Sequence, residues 1–271
     1  MSKELEYKLV KTKSGQTGYV CLGSGQPLIM LVGYSGNLLH WNSELIYRLA
    51  EKFTVYLPDN RRVGLSDSTN ALSMEGLAQD VVEFIEALEL NKSFLCGWSM
   101  GGIIAQALAY ERADLISGMV LIASQPDYSY TLGGLHTLVR NLREYPGREN
   151  REKLTELFFS ELPSIEFRKY LAKSILHIAG YVYPYNEHAQ QLQDHAVKNW
   201  LQQAEQLEQL DLPVLITTAQ NDLVTKAEAS WYLHTKLKNS KLISYPNGGH
   251  FFMHHYATEL ADEIISYTLP L

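Results

Sequence analysis

The chain has 271 residues, of which 46% are hydrophobic and 20% are charged, and its formal net charge at pH 7 is −7. A chain of this length and composition fits one large α/β domain with an inserted segment, and its core needs no disulfide framework. The negative charge and the lack of any lysine or arginine run argue against nucleic-acid binding, and no apolar run approaches the ~20 residues of a membrane span.

The cysteines and the opening residues favour a reducing, cytoplasmic environment. Cys21 and Cys96 are the only cysteines, which is too few for a disulfide scaffold. The opening residues are charged and contain no apolar signal core. We therefore expect a soluble cytoplasmic protein that is a monomer or a homodimer.

Strands and helices alternate along most of the chain. Leu28–Val32 is a continuous apolar run, as expected of a strand buried on both faces, and Ser73 can cap a helix with one apolar face. Strands are predicted at Leu5–Val10, Tyr19–Leu22, Leu28–Val32, Phe53–Leu57, Ser93–Gly97, Ile116–Ala123, Pro213–Thr218 and Lys241–Tyr245, and helices at Trp41–Ala50, Ser73–Leu88, Gly102–Tyr110, Lys226–Leu237 and Phe251–Tyr267. This order predicts an α/β fold with a mostly parallel central sheet of about eight strands flanked by helices.

The alternation stops between residues 125 and 210, which we call the cap segment. This segment has helical periods and no run typical of a buried strand. Because it is too long for a loop, we expect a helical cap inserted after the sixth strand, which leaves residues 1–124 and 211–271 as the core domain. The predicted cap helices are Asn150–Phe159, Ile165–Ile178 and Ala189–Leu210.

A G-x-S-x-G motif is present, with Gly97, Ser99 and Gly101 in its fixed positions. The motif stands between a predicted strand and a predicted helix, which is the context that presents a serine as a nucleophile. Residues without bulk are needed on either side because the helix passes close to the strand. Ser99 is therefore the candidate nucleophile, and the alternative is a glycine-rich turn with an incidental serine.

A serine hydroxyl is a weak nucleophile unless a base lies within hydrogen-bond reach. His250 follows the last predicted strand and is preceded by two glycines, which let the loop fold back toward the serine. His254 and His255 lie one helical turn further on, and we assign them to the last helix. His250 is thus the first candidate for the base.

The base in turn needs an acid that orients it. Asp222 comes directly after the strand Pro213–Thr218, so its carboxylate points toward the same edge of the sheet as Ser99. Asp127, which follows the strand Ile116–Ala123, is the alternative, and either aspartate could instead cap a local turn. With Asp222 as the acid, the chain order of nucleophile, acid and base is the one expected of the α/β-hydrolase arrangement.

Stabilisation of an oxyanion requires two backbone N–H groups aimed at one point. Met100 follows the candidate nucleophile at a helix N-terminus, where the helix dipole helps. The glycine-rich stretch Gly33-Tyr34-Ser35-Gly36 follows a buried strand. We expect the N–H groups of Met100 and Tyr34 to form the oxyanion hole.

These motifs make the chain similar to the α/β-hydrolase family from about Tyr19 to Tyr267. G-W-S-M-G-G resembles the family's nucleophile elbow, Asp222 stands at its acid loop, and G-G-H resembles its histidine loop. The sequence P-D-N-R-R-V-G-L-S-D resembles the family's D-x-R-G-x-G-x-S segment, with Arg62 in place of the first glycine.

The second departure from the family pattern lies in the oxyanion loop. The family usually has His-Gly where this chain has Val32-Gly33. That histidine normally braces the loop, so this loop must be held differently.

The resemblance implies a covalent acyl-enzyme, no metal, no organic cofactor and a small-molecule ester or acyl substrate. An aspartate nucleophile would mark epoxide or haloalkane chemistry, and Ser99 argues against both. Similar family members include carboxylesterases, thioesterases, lactonases, carbon–carbon bond hydrolases and proline iminopeptidases, and a G-W-S-x-G-G elbow also occurs in an esterase that cleaves the methyl ester of pimeloyl-carrier protein. We favour a carboxylesterase-like hydrolase of a small-to-medium ester or thioester.

The cap segment bears on the choice of substrate. Its aromatic residues favour an apolar or aromatic acyl group, although its tyrosines could equally fill a small cap core. Glu161, Glu166 and Glu187 could hold an amine, as in the iminopeptidases, but we assign them to solvated helix faces. A receptor of the same fold with little turnover is the alternative of another class. The candidate pocket residues are Trp98, Tyr128, Tyr181, Tyr183 and Phe251.

Overall fold

The computed structural model describes residues 4–144, 147–181, 187–201 and 204–269. Its strands are β1 (Leu5–Glu6), β2 (Lys8–Lys11), β3 (Gly15–Gly23), β4 (Gln26–Leu31), β5 (Phe53–Pro58), β6 (Asp67–Ser68), β7 (Ser93–Trp98), β8 (Ile116–Ile122), β9 (Ile178–Ala179), β10 (Val214–Ala219) and β11 (Ser240–Tyr245). Its helices are α1 (Ser43–Ala50), α2 (Met74–Ala87), α3 (Met100–Arg112), α4 (Leu135–Glu144), α5 (Arg148–Phe159), α6 (Ile165–Lys173), α7 (Glu187–Asn199), α8 (Ala204–Gln209), α9 (Ala227–Lys236) and α10 (Ala257–Thr268).

One sheet of nine strands organises the described part of the chain. The strand order is β11-β10-β8-β7-β4-β5-β3-β2, and β6 pairs with β3 beside this path. The strands from β11 to β5 are parallel to their neighbours, whereas β3 is antiparallel to β5, β2 and β6. The predicted α/β fold with a mostly parallel central sheet is confirmed, and the carboxyl ends of β4, β7, β10 and β11 meet at one edge, where ligands of such sheets bind.

Helices cover both faces of this sheet. One buried apolar cluster joins the sheet to α2 and α3, and the other joins it to α1 and α10. The predicted cap Ser73 accepts a hydrogen bond from the Gly76 N–H and begins α2, and Asn42 caps α1 in the same way. Two-sided burial explains why strands such as β4 read as continuous apolar runs.

The cap segment contains more breaks than the sequence indicates. Helix α4 was not predicted, α6 ends before β9 rather than at Ile178, and the single helix expected at Ala189–Leu210 is divided into α7 and α8. The division follows from burial, because Trp200 turns into the core while Leu201, 71% exposed, forms a bridge with Asp127. The assignment of a separate cap domain stays a prediction.

The last helix also begins later than expected. Residues Gly249–His254 form a short 3₁₀ helix in which Phe251 has non-helical backbone angles, and α10 starts only at Ala257. Gly248 and Gly249 both have positive φ, at 101° and 60°, so the chain reverses sharply before it enters the helix. His250 therefore lies in a turn rather than at the start of a long helix.

A second sheet of two strands is separate from the main one in its hydrogen bonding. Strand β1 pairs in parallel with β9, and the Leu5 N–H donates a hydrogen bond of 2.8 Å to the His177 carbonyl. The start of the described chain is thereby attached to the cap segment. No helix that the structure describes is both long and apolar enough to cross a membrane.

Candidate active site

Ser99 occupies the sharp turn between β7 and α3. Its φ of 55° and ψ of −120° are unusual for a residue with a side chain, and its N–H is fixed by a 2.8 Å hydrogen bond to the Ile122 carbonyl. A methyl group on Gly97 would lie 2.3 Å from the Gly101 carbonyl oxygen, and one on Gly101 would lie 2.0 Å from the Leu31 carbonyl oxygen. The close approach of strand and helix thus requires glycine at both fixed positions of the motif.

Asp222 and His250 form a buried pair at the ends of β10 and β11. The Asp222 Oδ2 and the His250 Nδ1 are 2.8 Å apart, and the two side chains are 0% and 2% exposed. The other carboxylate oxygen, Oδ1, accepts hydrogen bonds from the N–H groups of Val224 and Thr225. Because both oxygens of the carboxylate are held, the carboxylate can fix the orientation of the imidazole. The other ring nitrogen, Nε2, is then the one that can accept or donate a proton.

The loop that carries His250 is attached to both neighbouring elements. Asn221 Oδ1 accepts a hydrogen bond of 3.0 Å from the Gly249 N–H, and the Asn221 carbonyl accepts one from the Ser160 hydroxyl of the cap segment. The Trp98 indole donates to the His250 carbonyl at 3.1 Å, with ring centroids 5.3 Å apart. Since Trp98 directly precedes Ser99, this bond ties the histidine loop to the nucleophile turn.

The oxyanion loop, Gly33–Gly36, lies beside Ser99. A methyl group on Gly33 would be 3.1 Å from the Ser99 Cβ and from the Trp98 ring, so an added side chain would crowd both residues. Asn60 holds the entry to the loop through a 3.1 Å hydrogen bond to the Val32 carbonyl. From the other side, Met100 is the first residue of α3, and an N–H in a first helical turn has no acceptor within its helix.

An aromatic cleft of about 210 Å³ opens next to these loops. Two of the predicted pocket residues, Trp98 and Phe251, line it. The residues contributed by α5 were missed, although Leu154 and Phe158 stand four positions apart on one face of a predicted helix. The cleft is lined by Tyr34, His40, Trp98, Leu154, Thr155, Phe158, Phe159 and Phe251.

The structure does not bring the other pocket candidates into this cleft. Tyr128 packs beside His136, with ring centroids 5.5 Å apart. The Tyr181 hydroxyl donates to Asp59 Oδ1 at 2.9 Å, and its ring packs against Tyr7. Tyr183 lies outside the described residues.

The alternative acid and bases have local partners of their own. Asp127 Oδ1 accepts a 2.8 Å hydrogen bond from the Ser129 N–H and caps a 3₁₀ turn. His254 is packed near Asn42, and its burial lowers its pKa to about 3. His255 stacks on Phe167, with ring centroids 4.1 Å apart. Within the described residues, none of these three side chains forms a hydrogen bond with Asp222 or His250.

The segment after β5 is attached to α2 through Arg61. The buried Arg61 guanidinium binds Asp80 at 2.7 Å and donates to the Gly76 carbonyl at 3.0 Å. Arg62, which stands where the related segment has glycine, adopts a φ of 63°. Arg62 therefore has the left-handed backbone conformation that a glycine would favour, although it carries a side chain.

Residues 26–255 match the sequence profile of the α/β hydrolase fold family. This chain belongs to the α/β-hydrolase family. The match covers the sheet from β4 onward, the cap segment and the turn that carries His250, so the predicted family membership is confirmed.

Several of the similar proteins are named as esterases. The chain is 26% identical over 240 residues to a pimeloyl-[acyl-carrier protein] methyl ester esterase of Nitrosomonas europaea, which covers 84% of this chain and 90% of that protein. It is 31% identical over 107 residues to the same type of esterase from Vibrio vulnificus and 33% identical over 129 residues to a soluble epoxide hydrolase of Corynebacterium sp.. These two matches span only 40% and 44% of the relatives' own lengths.

Solved structures agree with the fold. An α/β hydrolase fold protein from Chitinophaga pinensis superposes with a TM-score of 0.82 at 21% identity over 98% of both chains. An esterase from Exiguobacterium antarcticum superposes with a TM-score of 0.79 at 20% identity, covering 96% of this chain and 98% of its own. At this level of identity the likeness establishes the architecture alone.

Proposed function

We propose that this protein is a serine hydrolase that cleaves a small-to-medium carboxylic ester or thioester through an acyl-enzyme. The observation that carries the proposal is the buried 2.8 Å pair of Asp222 and His250, tied through Trp98 to the strained turn of Ser99. A buried carboxylate, a histidine and a strained serine at one sheet edge are the parts that acyl transfer needs.

The reaction proceeds in two halves. Ser99 Oγ attacks the carbonyl carbon while His250 Nε2 takes the hydroxyl proton, and Asp222 stabilises the imidazolium. The N–H groups of Tyr34 and Met100 hold the oxyanion of the tetrahedral intermediate, which collapses as His250 gives the proton to the leaving alcohol or thiol. Water, deprotonated by His250, then attacks the acyl-serine and releases the acid and free Ser99.

The cleft favours an acyl group of modest size. Its volume of about 210 Å³ is below the ~300–1,000 Å³ common for pockets of drug-sized ligands, and its walls are mostly aromatic. The esterase relatives that act on a pimeloyl methyl ester are consistent with a medium acyl chain. A panel of p-nitrophenyl esters, acyl thioesters, lactones and aminoacyl amides separates this proposal from the lactonase, carbon–carbon hydrolase and iminopeptidase alternatives.

The nucleophile is tested with a fluorophosphonate probe, which labels an activated serine. We expect the parent to be labelled and Ser99→Ala to lose both the label and at least ~10³ of its esterase turnover, because no other group replaces the attacking oxygen. Ser129→Ala, which changes an exposed serine of a 3₁₀ turn, serves as the control. Equal labelling of the parent and Ser99→Ala would exclude Ser99 as the nucleophile.

The acid is tested by paired substitutions at the two candidate aspartates. Asp222→Asn is expected to lower kcat by ~10⁴, since the amide favours the wrong imidazole tautomer. Asp127→Asn is expected to keep kcat within a factor of ~2, because its carboxylate accepts a hydrogen bond from the nearby Ser129 N–H and caps a local turn. Steady-state kinetics on one ester measures both, and the reverse pattern would assign the acid to Asp127.

A further inference from the structure

The oxyanion loop has a strained conformation that needs an external support. The Gly36 N–H donates to the Gly33 carbonyl at 3.1 Å, which closes a four-residue turn. Its third residue, Ser35, has a φ of 55°, a value that turns of this kind normally assign to glycine. A flip of the Tyr34–Ser35 peptide would relieve the strain, so something must oppose that flip.

A glutamine of the cap segment opposes it. Gln193 on α7 accepts a 2.7 Å hydrogen bond from the Ser35 N–H through its Oε1. Gln193 is 2% exposed and Ser35 is 5% exposed. Because a flipped peptide would turn the Ser35 N–H away from Oε1 and leave a buried donor without this acceptor, the hydrogen bond favours the strained form.

The next residue of α7, Asp194, acts through His136 on Tyr34, the loop residue that precedes Ser35. The Asp194 carboxylate lies against the Nδ1 of His136, and His136 stacks on the Tyr34 ring at 4.1 Å between centroids. Burial lowers the pKa of His136, and the adjacent Asp194 carboxylate opposes that shift. Two consecutive residues of one cap helix thus reach Ser35 directly and Tyr34 through His136.

We propose that Gln193 is a positioning residue, which holds the oxyanion loop in its active conformation from the cap segment. This inference rests on the proposed hydrolase function. Val32 stands before Gly33, where related chains usually have the histidine that braces this loop. Gln193 would take over that bracing role from the cap segment. It also couples the position of α7 to the oxyanion hole: a cap displaced from the sheet takes the acceptor of the Ser35 N–H with it.

The coupling predicts a defect in turnover rather than in substrate binding. Loss of a complete oxyanion donor costs ~10²–10³ in rate, and loss of a brace leaves the donor in place but less well oriented. We expect Gln193→Leu, which removes the acceptor at similar volume, to lower kcat for an ester by ~10–100-fold with KM within a factor of ~2. The rate of fluorophosphonate labelling falls in parallel.

Conservative variants separate positioning from packing. Gln193→Glu keeps an oxygen acceptor for the Ser35 N–H and is expected to recover most of the lost kcat, whereas Gln193→Met keeps the shape without the acceptor and is expected to match Gln193→Leu. Gln191→Leu changes an exposed glutamine of the same helix, whose side chain donates a hydrogen bond to Glu187 Oε1, and it should behave as the parent. Thermal unfolding of each variant identifies those that do not fold.

The outcomes distinguish this inference from the proposed function. If the parent itself is not labelled at Ser99, the hydrolase proposal fails. If the parent is labelled and Gln193→Met turns over like the parent, the brace alone is overturned. A rise in KM at unchanged kcat would also overturn it, because Gln193 would then serve substrate binding. Equal losses in the Gln191 and Gln193 variants would do the same, since the effect would not be specific to the Ser35 N–H.

Discussion

The Asp59 carboxyl is buried between two tyrosine hydroxyls. Tyr7 donates to its Oδ2 at 2.7 Å and Tyr181 to its Oδ1 at 2.9 Å, and the residue is 4% exposed. Burial raises the pKa of Asp59 to about 7, and the two tyrosine hydrogen bonds oppose part of that rise. The side chain therefore changes charge near neutral pH, at a point where the core meets Tyr181 of the cap segment.

This shift makes stability depend on pH in a defined direction. An unfolded aspartate has a pKa of ~3.9, so between pH ~4 and ~7 the folded state retains a proton that the unfolded state has lost. The contribution of Asp59 to the free energy of unfolding therefore falls as pH rises through this window, by at most ~1.4 kcal/mol per pH unit. Asp59→Asn removes the titration, and its stability relative to the parent should be higher at pH 8 than at pH 5.

Urea unfolding at both pH values measures the effect. The comparison uses the difference between variant and parent, which cancels contributions from other titrating groups such as His136 and His254. Asp67→Asn, which removes a largely exposed carboxylate on β6, is the control for the loss of one negative charge without burial. A pH-independent difference for Asp59→Asn would contradict the assigned shift.

At the scale of elements, α5 forms one wall of the aromatic cleft. Phe158 stacks on Phe251 with ring centroids 4.9 Å apart and lies 6.1 Å from the His250 ring. Phe158→Ala should extend the cleft and increase the preference for long over short p-nitrophenyl esters by ~10-fold in kcat/KM, because an added methylene in an apolar pocket is worth ~10–200-fold at most. Phe167→Ala, on α6 and stacked on His255, is the matched control, and an unchanged chain-length preference for Phe158→Ala would mean that acyl chains lie elsewhere.

Elements were predictable where one sequence period dominates. Helix α2 was expected from its cap Ser73 and its apolar face, and the strands β4, β7 and β8 from their buried apolar runs. The ends of the cap helices were not, because they depend on contacts with other segments: α6 stops where β9 must be extended to pair with β1. Helix α4 was missed although Leu135, Val139 and Leu142 are buried at helical spacing, since the glycines and arginines around it obscured that period.

At the scale of the whole molecule, parallel topology explains which candidate site residues the sequence could indicate. Ser99, Asp222 and His250 each follow a strand of the same parallel sheet, so their place at one edge follows from chain order. Gln193 follows no strand, and its contact with Ser35 depends on how the cap segment sits on the sheet. The sequence pattern does not predict this contact, because any polar residue at that position would give α7 the same helical pattern.

The pairing of β1 with β9 has a consequence for how the chain is made. Ribosomes add ~5–20 residues per second, so on the order of ten seconds pass between the synthesis of Leu5 and that of its partner His177. During that interval the backbone groups of β1 have no β9 to pair with, while β2 and β3 can already form their hairpin. Strand β1 therefore stays without this partner until translation has passed β9, and only then can it join the cap segment to the rest of the chain.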